Sequence, residues 1–153
     1  MSNQLTHLDE YGKASMVNIS SKTPMLRTAL AEGLFCAKAE TIDAILRSDL
    51  PKGEALAVAR VSGIQAAKQC GNLIPLCHPL PIEYVDVQFE KISDCTIRIR
   101  STVVVTGRTG IEMEALTAVS VSALTLWDMT KAIDDSLVIK EITLVEKTKE
   151  LVD

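Results

Sequence analysis

The chain reads as an α+β domain, a ferredoxin-like βαββαβ sandwich with its helices on one face of an antiparallel sheet, and three observations predict it. The first is a long helix within residues 106–133, TGRTGIEMEALTAVSVSALTLWDMTKAI, where neither glycine nor proline occurs between Gly110 and Asp134. Met113, Leu116, Val119 or Ser120, Ala123, Leu124 and Trp127 recur there at three- and four-residue spacing. The second is a pair of alternating segments, IEYVDVQFEKI and CTIRIRSTVVVTG, separated by a turn at Ser93 and Asp94, which read as a hairpin. The third is a further alternating segment on each side, LRTALAEGLFCAK at 26–38 and SLVIKEITLVEK at 136–147. Strand, helix, strand, strand, helix, strand is the split arrangement that buries one sheet face under two helices. Its other face needs cover, and the simplest cover is another subunit.

Taken in order, residues 1–11 are polar and read as a terminal arm, extended to about residue 15 as a mobile segment of a single domain spanning 1–153. MVNIS at 16–20 alternates enough for a short extended piece. The strand at 26–38 carries Gly33 at a possible bulge. AETIDAILRS is a short amphipathic helix broken by Asp49-Leu50-Pro51-Lys52-Gly53, and GEALAVARVSGIQAAKQCGNLI resumes helical spacing to about Gly71. Lys52 thus stands before a helix N-terminus, where the dipole favours an anion. It is either plain solvated surface or part of a site shared with an anionic ligand. In LIPLCHPLP, three prolines stiffen the backbone around Cys77 and His78. His78 fits a structural hydrogen bond, or a rigid binding or proton-transfer role. Thr106-Gly107-Arg108-Thr109-Gly110 precedes the long helix with the ingredients of an anion cradle.

The long helix separates its charges. Glu112 and Glu114 lie in the first turn and Asp128 and Lys131 near the last, with an almost uncharged middle. Glu114 and Asp128 are fourteen residues apart, about 21 Å along the axis. Either the two ends do different jobs, or a second copy of the chain completes one site. Small residues in the middle suit a core helix and a subunit interface equally.

Totals narrow the class. With 153 residues and 47% apolar content the chain can build one proper core. Aromatic content of 3% and a net charge of −4 leave neither stacking surfaces nor a basic field for nucleic acid. Cys36, Cys70, Cys77 and Cys95 form no CxxC pair, and with no secretory signal at the start a cytoplasmic setting is expected. No apolar run reaches membrane-span length. Cys77 and His78, with His7 far off in the arm, give too few ligands for a metal site.

KGEALAVARVSGIQAAKQCGNLIPLCHPLP followed by TGRTGIEMEALTAVSVSALTLWDMTKAI closely resembles the molybdenum cofactor biosynthesis protein C family of cyclic pyranopterin monophosphate synthases. LIPLCHPL and TGxTGxEMEAL are long and specific, and the likeness runs from QLTH at Gln4 to about Lys147. The resemblance implies a homo-hexamer, a trimer of dimers with active sites at a subunit interface. It implies conversion of 3′,8-cyclo-7,8-dihydro-GTP to cyclic pyranopterin monophosphate and pyrophosphate, without a redox cofactor. It assigns Lys52, Lys131 and Lys147 as active-site lysines and Asp128 as catalytic. Leu76, Cys77, His78, Met113 and Glu114 match substrate-contacting positions, Glu112 joins them, and Arg108 and Arg27 are candidates for the phosphate chain. Two departures stand out: Asn18 replaces the aspartate of an MVDVS motif, and after Lys147 the chain lacks the Gly-rich KSGGKSG tail. Both leave a rival reading, a non-catalytic ferredoxin-like nucleotide-binding relative. An RNA-binding domain of similar topology fits poorly with the acidic charge and scarce aromatics.

Overall fold

Alternation along the chain becomes a four-stranded antiparallel sheet in the computed structural model of the protein, which describes residues 7–152. The elements are β1 (Met25–Cys36), α1 (Ala39–Arg47), α2 (Ala55–Lys68), the single turn α3 (Cys70–Leu73), β2 (Tyr84–Ser93), β3 (Thr96–Gly107), α4 (Glu112–Thr130) and β4 (Val138–Leu151). The sheet order is β2-β3-β1-β4, and every pairing is antiparallel. This is the expected βαββαβ sandwich. The mobile arm proposed for the first residues lies in part outside the described residues; residues 7–15 form a turn closed by a bridge between Leu8 and Ala14. MVNIS at 16–20 joins no strand.

Pleating sorts each strand into two faces. Ala29, Ala31 and Phe35 of β1, Val87 of β2, and Ile97, Ile99, Val103 and Val105 of β3 are buried beneath the helices. Leu30 and Leu34 turn the other way, where Arg100 pairs with Glu32 at 2.9 Å and Arg98 with Glu90 at 3.3 Å. Arg100 Nε is buried without a hydrogen-bond partner.

The long helix lies on β1 and β3 and along α2. Its buried face is Ala115, Ala118, Val119, Ser122, Ala123, Leu126 and Met129, a stripe of mostly small side chains. Leu124 and Trp127, placed by spacing on the apolar stripe, look outward instead, with Leu124 59% exposed. The small residues let α2 come close. A Cβ at Gly63 would collide with Ser122 Oγ and stand 2.9 Å from the Ala118 carbonyl. Ser122 Oγ donates to the Ala59 carbonyl at 3.0 Å, and the Ser62 and Thr125 hydroxyls share a 2.7 Å hydrogen bond across the same seam.

β4 carries two bulges. Glu141 and Ile142 together oppose Gly33, where Glu141 adopts a left-handed φ of 55°, and Val145 is the extra residue opposite the step from Leu30 to Ala31. Each bulge reverses which side chains face the helices. Ile139 and Leu144 both pack against the core despite their odd spacing, and Lys147 and Lys149 then fall opposite Ala29 and Arg27, on the helix side. Gly33 is therefore at a bulge as expected, but the extra residues belong to β4.

Between α4 and β4 the chain is fastened by Asp134. Its carboxylate, 3% exposed, accepts hydrogen bonds from Lys38 N (2.8 Å), Thr41 Oγ1 (2.8 Å), Ser136 N (2.8 Å) and Ser136 Oγ (2.7 Å). Desolvation pushes its pKa up, but those donors outweigh burial and hold it far below the ordinary aspartate range. A depressed folded-state pKa stabilises the fold above the unfolded value of about 3.9, and that contribution is lost as pH falls toward the folded pKa. Asp134→Ala is expected to lower unfolding free energy at pH 7 by about 3 kcal/mol, because it strands buried donors. In urea titrations the gap to wild type should shrink below pH 4.

Candidate active site

Two cavities flank the first turn of α4, and both are lined by Gly110 and Glu112. One, of about 280 Å³, is walled by the proline-stiffened loop through Leu76, Cys77 and His78 and by Met113 and Glu114. The other, of about 210 Å³, opens between the helix start and the ends of β1 and β4, where Arg27, Lys147 and Lys149 line it. A Cβ at Gly110 would displace the Glu112 carboxylate, so the glycine lets that side chain lie across the junction.

His78 Nε2 lies 2.8 Å from the Val17 carbonyl. A carbonyl only accepts, so Nε2 carries the proton of this bond, and Nδ1 is the nitrogen left for another partner. The 16–20 segment thus orients the histidine although it forms no strand. Asn18 is exposed and accepts from Ser20 N at 3.0 Å. An aspartate could accept the same bond, so this position serves the turn and the Asp-to-Asn departure leaves the cavity walls intact.

Two carboxylates one residue apart diverge in charge behaviour. Glu114 is 3% exposed, and burial raises its pKa, reinforced by Glu112 and partly opposed by a hydrogen bond to its own backbone N–H. For Glu112, burial also pushes upward, but the Lys147 ammonium, donating to Oε1 at 2.9 Å, together with a hydrogen bond from its own backbone N–H and the charge of Arg27, outweighs it and the net shift is down. The pair therefore places a carboxyl with a raised pKa beside one with a lowered pKa at the same helix tip. Burial pushes the Cys77 thiol up, with Glu114 adding to the effect, so Cys77 is a neutral wall residue. Behind it, buried Cys70 is pushed up to about 11, chiefly by desolvation, and shares a 3.5 Å hydrogen bond with Thr117. Arg27 Nε donates to the Gly107 carbonyl at 3.0 Å, at the end of β3 where the chain enters the loop before α4. Arg108 is exposed on that loop and lines neither cavity.

At the other end of α4, Lys131 is the C-cap, and its Nζ pairs with Asp128 Oδ1 at 2.8 Å. Lys52 Nζ donates to the Asp128 carbonyl at 2.7 Å and to Oδ2 at 3.0 Å. Lys52, which sequence position set before the positive end of α2, in fact reaches the carbonyl end of α4, where the dipole favours a cation. Lys131 first, then Lys52, lower the Asp128 pKa, so it stays ionised through the neutral range.

Of the twelve residues expected at the site, the fold gathers all but Arg108 into two clusters. Arg27, Leu76, Cys77, His78, Glu112, Met113, Glu114 and Lys147 meet at the start of α4, and Lys52, Asp128 and Lys131 meet at its end. Lys149 was missed. Its signal was a second lysine two residues after Lys147, on the same strand face, obscured because strict alternation from Leu144 points both lysines away from the helices. Among the described residues no three His, Cys, Asp or Glu side chains converge as a metal site, and no helix is long and apolar enough to cross a membrane.

Residues 16–150 match the model of the MoaC family. The cyclic pyranopterin monophosphate synthase of Desulfitobacterium hafniense is 53% identical over 145 residues, 95% of this chain and 89% of that protein. That of Roseiflexus castenholzii is 51% identical over 146 residues, 94% of this chain and 92% of the relative. Cyclic pyranopterin monophosphate synthase 3 of Mycobacterium tuberculosis is 51% identical over 144 residues, 94% of this chain and 81% of its own.

Proposed function

The chain belongs to the MoaC family, and from that premise we propose that it is a cyclic pyranopterin monophosphate synthase, a phosphorus-oxygen lyase of molybdenum cofactor biosynthesis. It converts 3′,8-cyclo-7,8-dihydro-GTP to cyclic pyranopterin monophosphate and pyrophosphate. The observation that carries the reading is the union, at one helix tip, of a carboxyl with a raised pKa, an oriented imidazole and a cationic cavity. Ring opening, pterin rebuilding and closure of a cyclic phosphate need proton donors and acceptors beside a bound triphosphate. The raised Glu114 carboxyl can hydrogen-bond the guanine-derived ring. His78 Nδ1 can accept a proton. Arg27 and Lys147 hold phosphate oxygens as charge-assisted donors, and Leu76, Cys77 and Met113 wall the ring. No step requires an electron carrier.

Asp128, Lys131 and Lys52 enter the same site from a second copy. The roughly 21 Å between Glu114 and Asp128 along one rigid helix supports this, as do Val61, Leu124 and Trp127, left exposed on α2 and α4. We take the assembly to be a hexamer, a trimer of such dimers, working in the cytoplasm; four free cysteines suit a reducing compartment. The test is to incubate purified protein with the cyclised GTP intermediate. A pterin fluorescent after oxidation should form, with one pyrophosphate released per turnover. Silence beside an active family member would overturn the synthase reading in favour of a nucleotide-binding relative without chemistry.

A further inference from the structure

Three cations crowd one end of the sheet against a single carboxylate. Arg27 and Lys149 stand directly opposite each other on β1 and β4, and Lys147 lies two residues along, opposite Ala29. The Val145 bulge turns both lysines toward the helix side, so all three line the same cavity of about 210 Å³. Like charges facing across neighbouring strands oppose pairing, yet β1 and β4 stay paired through Leu151. Glu112 answers Lys147 at 2.9 Å. Lys149 has no carboxylate within 4.0 Å among the described residues. Among the described residues Arg27 has only its Nε engaged, on the Gly107 carbonyl, which leaves its terminal nitrogens for another acceptor. The cavity wall is completed by Gly110 and Ile111 at the positive end of the 19-residue α4. A site with two positive charges in excess, a fork-shaped donor and a helix N-terminus calls for an oligophosphate.

We propose that Lys149 is a substrate-positioning residue whose ammonium, with Arg27 and Lys147, holds the outer phosphates that leave as pyrophosphate. The inference deepens the synthase reading and rests on it for the identity of the substrate. The anion subsite itself can be measured without turnover.

Calorimetric titration of the full chain with inorganic triphosphate tests it. Lys149→Ala should weaken binding about fivefold and flatten its salt dependence, while Lys149→Arg stays within about twofold of wild type. Without anion, Lys149→Ala should melt no lower than wild type, since it relieves a like-charge pair. In turnover it should raise KM for the cyclised nucleotide about fivefold and leave kcat within about twofold. Triphosphate binding by Lys149→Ala within about twofold of wild type overturns the subsite, whatever the turnover. Lys149-dependent triphosphate binding in a protein that makes no pterin leaves the subsite standing and removes the synthase reading.

Discussion

Lys131→Ala is expected to lower kcat/KM by about a thousandfold or more while the protein remains folded. The side chain is 58% exposed, and among the described residues its one ion pair is with Asp128, three residues back. Such a pair on a helix surface contributes little to stability, so the unfolding midpoint should move by no more than about 3 °C. Asp128→Ala should be equally inactive and equally folded, because Lys52 keeps its bond to the Asp128 main-chain carbonyl at 2.7 Å. The two variants separate catalysis from folding, since neither residue supports the core. Asp128 also predicts a pH signature. Lys131 and then Lys52 hold its pKa down, so loss of activity on acidification that begins above the ordinary carboxylate range is assigned to Glu114, whose pKa burial raises. Steady-state rates and circular dichroism on both variants check the expectation, and wild-type turnover in either removes that residue from the mechanism.

The second large effect comes from mixing two dead proteins. Glu114→Gln keeps the size of a buried side chain and removes its acid, and Lys131→Ala empties the opposite helix end. Each alone should be inactive. Unfolded together and refolded, or co-expressed, they should recover roughly a quarter of wild-type activity, because half of the pairs are mixed and each mixed pair has one of its two sites intact. The argument is one of length. α4 runs from Glu112 to Thr130 without a break, so its ends cannot approach within a chain. Activity that stays at background after mixing places both clusters' work within single subunits and overturns the shared site.

Most of the fold was legible because its signals are local. The hairpin of β2 and β3 followed from strict alternation of Val85, Val87 and Phe89 with polar residues, and the long helix from the absence of breakers. The first and last turns of α4 announced themselves through charge. What alternation could not reveal was parity across β4. The bulges depend on how β4 meets β1, a long-range pairing, and they decide that Lys147 and Lys149 face Glu112. The partner of Lys52 was hidden for the same reason, since it is 76 residues away and the nearest helix start was the wrong one. Leu124 and Trp127 carried the apolar spacing expected of core, yet α2 fills that helix face with alanine and serine contacts and leaves the larger groups outside. Arg108 sits on the right loop but faces solvent, a distinction that composition cannot draw.

β4 also forms one border of the sheet. A straight, fourteen-residue strand there would offer an open ladder to any stray extended chain. Two interruptions in its hydrogen-bonding rhythm, together with Lys140, Glu141, Glu146, Lys147, Lys149 and Glu150 along it, deny that template. The irregularities that aim lysines at the cavity therefore also close this border of the sheet to runaway fibrous growth.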